Sequence, residues 1–334
     1  MRTVKLGDNL LNCSVLGFGC ANLMGRVGKR QSERALATAY DLGVTFYDTA
    51  RSYGWGRSEE ILGGFLQAKR DRVVVCTKFG TQPPPRNRFR ELAKPVLRGL
   101  VSVAKRVGAA TVTRFVRRRA QAHSAVAVRR GMFDIPTARA SLDTSLTELR
   151  TDYVDILLLH NPTAADVADG TIFEWLGNEV RRGRVRSFGV STNSAQAQLI
   201  AIDHPDVRVL QVPHNVFEPF DFPASCIARG IVGNVPFGSG SALVKMTELL
   251  TKHPTLVDSL PIEFTSIREG LEARLMLGYA LATNTNGVTV CGMHDPNRIA
   301  ANVRVAASDF RPEREAWQRF AERVLSLVPN PTLE

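Results

Sequence analysis

The chain has 334 residues, 44% of them apolar, a size and composition that suit one large α/β domain or two smaller ones with a substantial core. No uncharged apolar run reaches the ~18 residues of a membrane span, and the polar, basic opening MRTVKLGDNL does not read as a secretory leader. Five scattered cysteines (Cys13, Cys20, Cys76, Cys226, Cys291) lack CxxC spacing, which argues against a disulfide framework or metal site and for reduced thiols in a cytoplasmic protein. The net charge of +11 is concentrated: residues 81–131 hold thirteen Lys/Arg against one acid, Glu91, and leave the rest of the chain close to neutral.

In chain order, residues 3–19 read as two short strands about the turn signal Gly7-Asp8-Asn9. An alternation then begins with a strand at 15–19. A helix over 30–43 ends at a glycine and is followed by a strand at 44–48. A helix at 57–70 and a strand at 73–78 come next, and then the basic stretch. The alternation resumes with a helix at 136–150, a strand at 152–160, and a helix around 172–183. Strands at 185–191, 207–212, 230–235 and 287–292 follow. Between them the spacing predicts helices at about 194–202, at 221–229, and over 266–283, the last long and amphipathic. Helices at 296–307 and 314–328 close the chain, the latter within a C-terminal helix and tail over 311–334.

The hairpin is therefore followed by eight β-then-α units. Strands apolar on both faces and alternating with helices imply a parallel sheet covered on both sides. Eight units over about 300 residues suit a single (β/α)8 TIM barrel spanning 1–334, with an N-terminal β-hairpin and a long basic insertion after the third barrel strand. An open doubly wound sheet competes weakly, because Gly17-Phe18-Gly19 is followed by Asn22 where a dinucleotide fingerprint needs glycine. In a barrel the active site sits at the carboxyl ends of the strands. Asp48, Lys78 and His160 end the second, third and fourth strands, and Tyr53 lies in the loop after the second. A carboxylate, an ammonium, an imidazole and a phenol gathered there form an acid–base site. A phenol with an ordinary pKa of about 10 is a poor donor at neutral pH, so a neighbouring cation is expected to tune it downward.

Seven blocks in register carry a resemblance: DLGVTFYDTARSYGWGRSEEILG, VVVCTKFG, DYVDILLLH, RSFGVSTNS, LQVPHN, NVPFGSG and PNRIAANV. Over residues 1–80 and 136–310 the chain resembles the aldo-keto reductase superfamily. The resemblance implies a barrel that binds a nicotinamide dinucleotide, NADP with NAD left open, without a Rossmann domain. It implies hydride transfer to or from an aldehyde, ketone or sugar, with Tyr53 as general acid, Lys78 and Asp48 tuning it, and His160 orienting the carbonyl. Ser191, Asn193 and Gln211 resemble the groups that hold the carboxamide. Pro236, Phe237, Gly238, Ser239 and Gly240 resemble the pyrophosphate loop. Arg298 and Asn302, four apart on one helix face, resemble the contacts to the adenosine 2′-phosphate and adenine. Two departures stand out. Asn234 occupies the position from which many members stack an aromatic ring on the nicotinamide. Gly292 and Met293 stand where many place a lysine for the 2′-phosphate, so a preference for NADP rests on Arg298.

The insertion, 81–135, opens with Pro83-Pro84-Pro85 and then places apolar residues near helical spacing between arginines and lysines, which predicts one or two helices at the active-site face. Its role is left open among a lid favouring anionic substrates, a docking surface for an acidic partner or anionic membrane, and a solvated face. Nucleic acid is not expected as a partner, since only Phe89 and Phe115 offer stacking rings. Two other functional classes remain beside the reductase: a cofactor-binding redox sensor acting through the insertion, and a barrel without cofactor. Oligomeric state is not legible.

Overall fold

A computed structural model describes residues 1–7, 11–84, 129–221, 228–266, 269–310 and 312–328. An antiparallel hairpin, β1 (Thr3–Leu6) and β2 (Leu11–Ser14), precedes eight parallel strands. These are β3 (Leu16–Gly19), β4 (Phe46–Asp48), β5 (Val74–Phe79), β6 (Val154–His160), β7 (Val185–Ser191), β8 (Val209–Pro213), β9 (Gly230–Asn234) and β10 (Val288–Cys291). They pair in chain order, and β10 returns to β3, so the sheet closes into the expected (β/α)8 barrel.

The interior follows from period-two alternation. Phe46, Val74, Cys76, Ile156, Leu158, Val209, Val232, Val288 and Val290 form the inner cluster. Leu6 and Cys13 of the hairpin join it and close the amino-terminal end of the barrel. Asp48, Lys78, His160 and Gln211 continue the same inward parity one step beyond Phe46, Cys76, Leu158 and Val209. The apolar interior therefore ends in a polar layer at the carboxyl ends of the strands. The second cluster fills the space between barrel and helices, with Phe18, Tyr47, Phe79, Phe173, Trp175 and Trp317 among its largest members.

At the opposite end, Asp155 near the start of β6 ties three strands together. It accepts from the Val75 amide at 2.9 Å and pairs with Arg70 at 2.8 Å and Arg186 at 2.9 Å. The two guanidinium carbons lie 3.9 and 4.2 Å from the Tyr153 ring centroid. Removing a fully buried carboxylate with these partners is strongly destabilising. Asp155→Ala is expected to lower unfolding free energy by about 3 kcal/mol, measured by chemical denaturation.

Several local expectations are corrected. The helix placed at 266–283 begins at Leu271, because Gly270 adopts a left-handed φ of 63° and interrupts it. A single helical turn, Ile262–Thr265, precedes the break. The helix Leu271–Thr283 is also not amphipathic. Helix Arg314–Ser326 covers its outer side, and Trp317 packs so tightly on Gly278 that an added Cβ would lie 2.5 Å from the indole. Helix Ala242–Lys252 and the turn Ala164–Val167 were not anticipated. The first buries Ala242, Met246 and Leu249 on one face, and the second is closed by a reciprocal Thr163–Asp166 capping box. The expected helix at 221–229 and the helices of the insertion lie largely outside the described residues. What is described of the insertion is its departure through Thr81 and Gln82 and its return, where the Gln82 amide bonds Arg129 O at 2.8 Å. Cys13, Cys20, Cys76 and Cys291 are buried and unbridged, while Cys226 lies outside the described residues. Among the described residues no helix is long and apolar enough to cross a membrane.

Candidate active site

The register brings the polar layer together. Asp48 pairs with Gly19 on one side and Cys76 on the other, Lys78 with Leu158, and His160, Ser191 and Gln211 sit in one row across β6, β7 and β8. The fully buried Lys78 ammonium donates to Asp48 Oδ1 at 2.6 Å and to Thr49 O at 2.9 Å. Asp48 Oδ1 also accepts from Gln211 Nε2 at 2.9 Å, and Gln211 Oε1 accepts from Ser191 Oγ at 2.6 Å. One hydrogen-bonded chain thus runs from lysine to serine across four strands.

Tyr53 reaches this chain from the turn after β4. Gly54, Trp55 and Gly56 all adopt left-handed φ, at 60°, 62° and 79°. Gly54 is obligatory, since a Cβ there would lie 2.3 Å from Leu23 O. The tight turn holds the phenol inward, and Lys78 Nζ lies 5.0 Å from its ring centroid. The His160 ring packs edge-on at 5.6 Å between centroids.

Electrostatics divide the roles. Burial raises the Tyr53 pKa, Lys78 lowers it, and Asp48 raises it again, with a net shift upward. The expectation of a lowered pKa is therefore corrected: the cation acts with the expected sign, but desolvation outweighs it. Part of the Tyr53 surface remains open, and a substrate can approach the ring there. The phenol keeps its proton at neutral pH. Burial lowers the Lys78 pKa, but Asp48 and then Tyr53 more than compensate, and the ammonium stays charged. Burial pushes the His160 imidazole down to about 3, with Lys78 and Arg130 adding to the shift. It is neutral, carries one N–H to offer, and its Nδ1 is buried with no hydrogen-bond partner among the described residues.

Asn193 is not brought into this layer. It is exposed after β7, while its neighbour Thr192 is buried and locks the loop by donating to Pro162 O at 3.0 Å. The turn Pro236–Gly240 follows β9. Val235 enters it at a φ of 54°, a strained value for a β-branched residue. Gly238, at 63°, has no room for a side chain, since a Cβ would lie 2.5 Å from that of Ala242. The Asn234 side-chain oxygen is buried and unpartnered among the described residues. Arg298 is exposed and Asn302 half-buried on helix Pro296–Ala307, whose start is capped by Asp295. Half-buried His294 is held below its ordinary pKa by desolvation and by the charges of Arg298 and Arg26, which puts a second arginine at this end.

Sequence reasoning missed the layer behind Tyr53. Arg51 is buried with its guanidinium on Glu59, and Thr77 Oγ1 donates to the other Glu59 oxygen at 2.6 Å. Both charges lie inside the block DTARSYGWGRSEEILG, but nothing in their spacing of eight announces the pair. Among the described residues no three His, Cys, Asp or Glu gather to hold a metal ion.

Comparison with known proteins agrees with this architecture. D-threo-aldose 1-dehydrogenase from a Pseudomonas species is 31% identical over 242 residues, covering 67% of this chain and 66% of that protein. The uncharacterized oxidoreductase YqkF of Bacillus subtilis is 31% identical over 197 residues, covering 58% and 49%. The chain thus spans half to two-thirds of the length of these curated relatives. An aldo-keto reductase from Bacillus halodurans, solved in its holo form, superposes over the full length of both chains with a TM-score of 0.70 at 20% identity. The model of the aldo/keto reductase family matches residues 15–317, and the chain belongs to that family.

Proposed function

We propose that the protein is an NADP-dependent oxidoreductase that interconverts a carbonyl and an alcohol, with Tyr53 as proton donor in the reductive direction. The observation that carries this reading is the hydrogen-bonded chain Lys78–Asp48–Gln211–Ser191 beneath a protonated phenol and a neutral imidazole. When bound, the dihydronicotinamide supplies a hydride to the carbonyl carbon. Tyr53 Oη passes its proton to the carbonyl oxygen as negative charge develops there. Lys78 stabilises the phenolate left behind, and Asp48 keeps the lysine charged and oriented. His160 donates its N–H to the same oxygen and fixes the carbonyl's direction without competing as an acid. In the oxidative direction the roles reverse, and the phenolate accepts the alcohol proton.

The donor set fits the cofactor. Gln211 and Ser191 present an amide and a hydroxyl suited to a carboxamide, with Asn234 Oδ1 as a further acceptor. The cramped Gly238 turn suits close backbone approach to a pyrophosphate. Arg298, with Arg26 nearby, is the cation available for a 2′-phosphate. Relatives support the same choice: a Klebsiella pneumoniae aldo-keto reductase of this fold was solved with NADPH, and a Schizosaccharomyces pombe relative carries NADP(+) in its name. Sugars and aromatic aldehydes head the candidate substrates, since the relatives include D-threo-aldose 1-dehydrogenase, pyridoxal 4-dehydrogenase and L-galactose dehydrogenase.

The test is NADPH oxidation across a panel of neutral, aromatic and sugar aldehydes, with NADP reduction by aldoses as the reverse assay. Turnover of at least one class is expected, and none on any of them, with NADPH bound, contradicts the reading. Arg298→Ala is expected to raise the KM for NADPH about tenfold and leave that for NADH unchanged, the size of one charge-assisted phosphate contact.

A further inference from the structure

We infer that Arg51 is a positioning residue for Tyr53, a buried clamp that fixes the turn carrying the phenol against the strand carrying Lys78. The inference rests on the reading of Tyr53 as the acid. Arg51 lies between Asp48 and Tyr53 in the chain, and its amide donates to Lys78 O at 3.2 Å, which ties the turn to β5. Its side chain points away from the reacting groups and into a cluster of carboxylates. Glu59, at the start of helix Ser58–Leu66, takes the guanidinium directly. Glu148, at the end of helix Ile135–Leu149, lies 3.5 Å from the same nitrogen. The second Glu59 oxygen is held by Thr77, the residue before Lys78. One ionic cluster therefore joins the turn, β5 and two helices.

A parallel set of bonds supports the other flank. Thr49, whose carbonyl receives the Lys78 ammonium, donates its hydroxyl to Ser58 Oγ at 3.1 Å, and Ser58 Oγ donates to Cys20 O at 3.1 Å. Both backbone bonds of Tyr53 stay within its own turn, its amide donating to Ala50 O at 3.1 Å and its carbonyl accepting from the Gly56 amide at 3.0 Å, and its ring remains partly open. The placing of that turn against β5, and with it the phenol against the lysine, is set from behind, through Arg51. Among the described residues the Arg51 guanidinium bonds Glu59 and Glu148 and neither the phenol nor the lysine ammonium, so it acts through the turn and not on substrate.

A buried ion pair that only holds a fold together can often be exchanged for apolar residues of similar volume without harm, whereas loss of one partner leaves a charge stranded. That contrast shapes the experiment. Arg51→Lys, Glu148→Gln, the double variant Arg51→Met/Glu59→Leu, and Tyr53→Phe are compared with wild type. The readouts are melting temperature, NADPH affinity by fluorescence quenching, kcat and KM for an aldehyde the wild type reduces, and kcat as a function of pH.

The clamp predicts kcat losses of about tenfold for Arg51→Lys and about 10²-fold for the folded double variant, the scale of a displacement of about 1 Å at a reacting group. NADPH affinity stays unchanged. The alkaline fall in kcat moves to higher pH, because a phenol further from Lys78 holds its proton more tightly. Wild-type kcat and an unmoved alkaline limb in Arg51→Lys and Glu148→Gln overturn the inference, whether or not the double variant folds. So do losses that follow melting temperature alone. If Tyr53→Phe retains full kcat, the acid assignment fails and this inference falls with it. An inactive Tyr53→Phe beside unimpaired Arg51 variants removes this inference alone.

Discussion

Tyr53→Phe is expected to reduce kcat for carbonyl reduction by about 10²–10⁴-fold, the contribution of one positioned acid. The change removes a single oxygen from a ring whose packing against His160 and whose backbone turn are otherwise kept. Stability and NADPH affinity should therefore be close to those of wild type. The His160 N–H still polarises the carbonyl in the variant, but burial holds the imidazolium's pKa at about 3, so at neutral pH almost none of the protonated ring is present to give up a proton. Residual activity should therefore come from water. Steady-state kinetics with an aldehyde the wild type reduces, together with a melting curve, check both halves of the expectation.

Lys78→Met is expected to act on two levels. Methionine fills much of the volume but leaves the nearly fully buried Asp48 carboxylate facing Gln211 without its cation. Stranding one member of a buried pair costs about 3–5 kcal/mol, read as a lower denaturation midpoint. Catalysis falls as well, because the lysine is the one partner that lowers the phenol's proton affinity strongly. The alkaline limb of kcat should move further up, while the plateau below it drops by at least tenfold, roughly the effect of one unit of lost acid strength or more. The stability arm has its own pH signature. The folded-state pKa of Lys78 is raised, so the ion pair contributes fully below the unfolded lysine value of about 10.4. That contribution is lost only as pH rises through the higher folded value. The stability gap between wild type and variant should thus be flat from neutral pH to about 10 and narrow above it.

The barrel was legible because its strands are apolar on both faces and its helices carry a different period. All eight strands fall where the alternation places them, although β4, β6 and β8 begin two residues later than the predicted runs 44–48, 152–160 and 207–212. The helix Ala242–Lys252 carried a readable signal, the spacing of Ala242, Met246 and Leu249, that the preceding glycine turn overshadowed. The break at Gly270 was equally visible as a glycine in a long helical pattern, but an all-buried helix is decided by what covers it, and Trp317 lies far away in sequence.

At the site, residues that end strands were readable because barrel geometry fixes where a strand end points. Residues in loops were less so. Asn193 belongs to a recognisable block, yet its side chain is exposed, because the direction of a loop residue depends on neighbours such as Thr192. The Tyr53 shift shows the same boundary between levels. The sign of the lysine's effect follows from charge alone, whereas the net direction depends on burial, which exists only once the fold has formed. The Arg51–Glu59 pair likewise becomes meaningful only when a turn and a helix have packed around it.

The most direct test is a single turnover followed by stopped flow, mixing NADPH-loaded enzyme with an aldehyde in water and in deuterium oxide. Wild type should show a rapid loss of NADPH absorbance that slows in deuterium oxide, and Tyr53→Phe no rapid phase although the variant still binds NADPH. A rapid phase of wild-type rate in Tyr53→Phe would contradict the reading of Tyr53 as the acid.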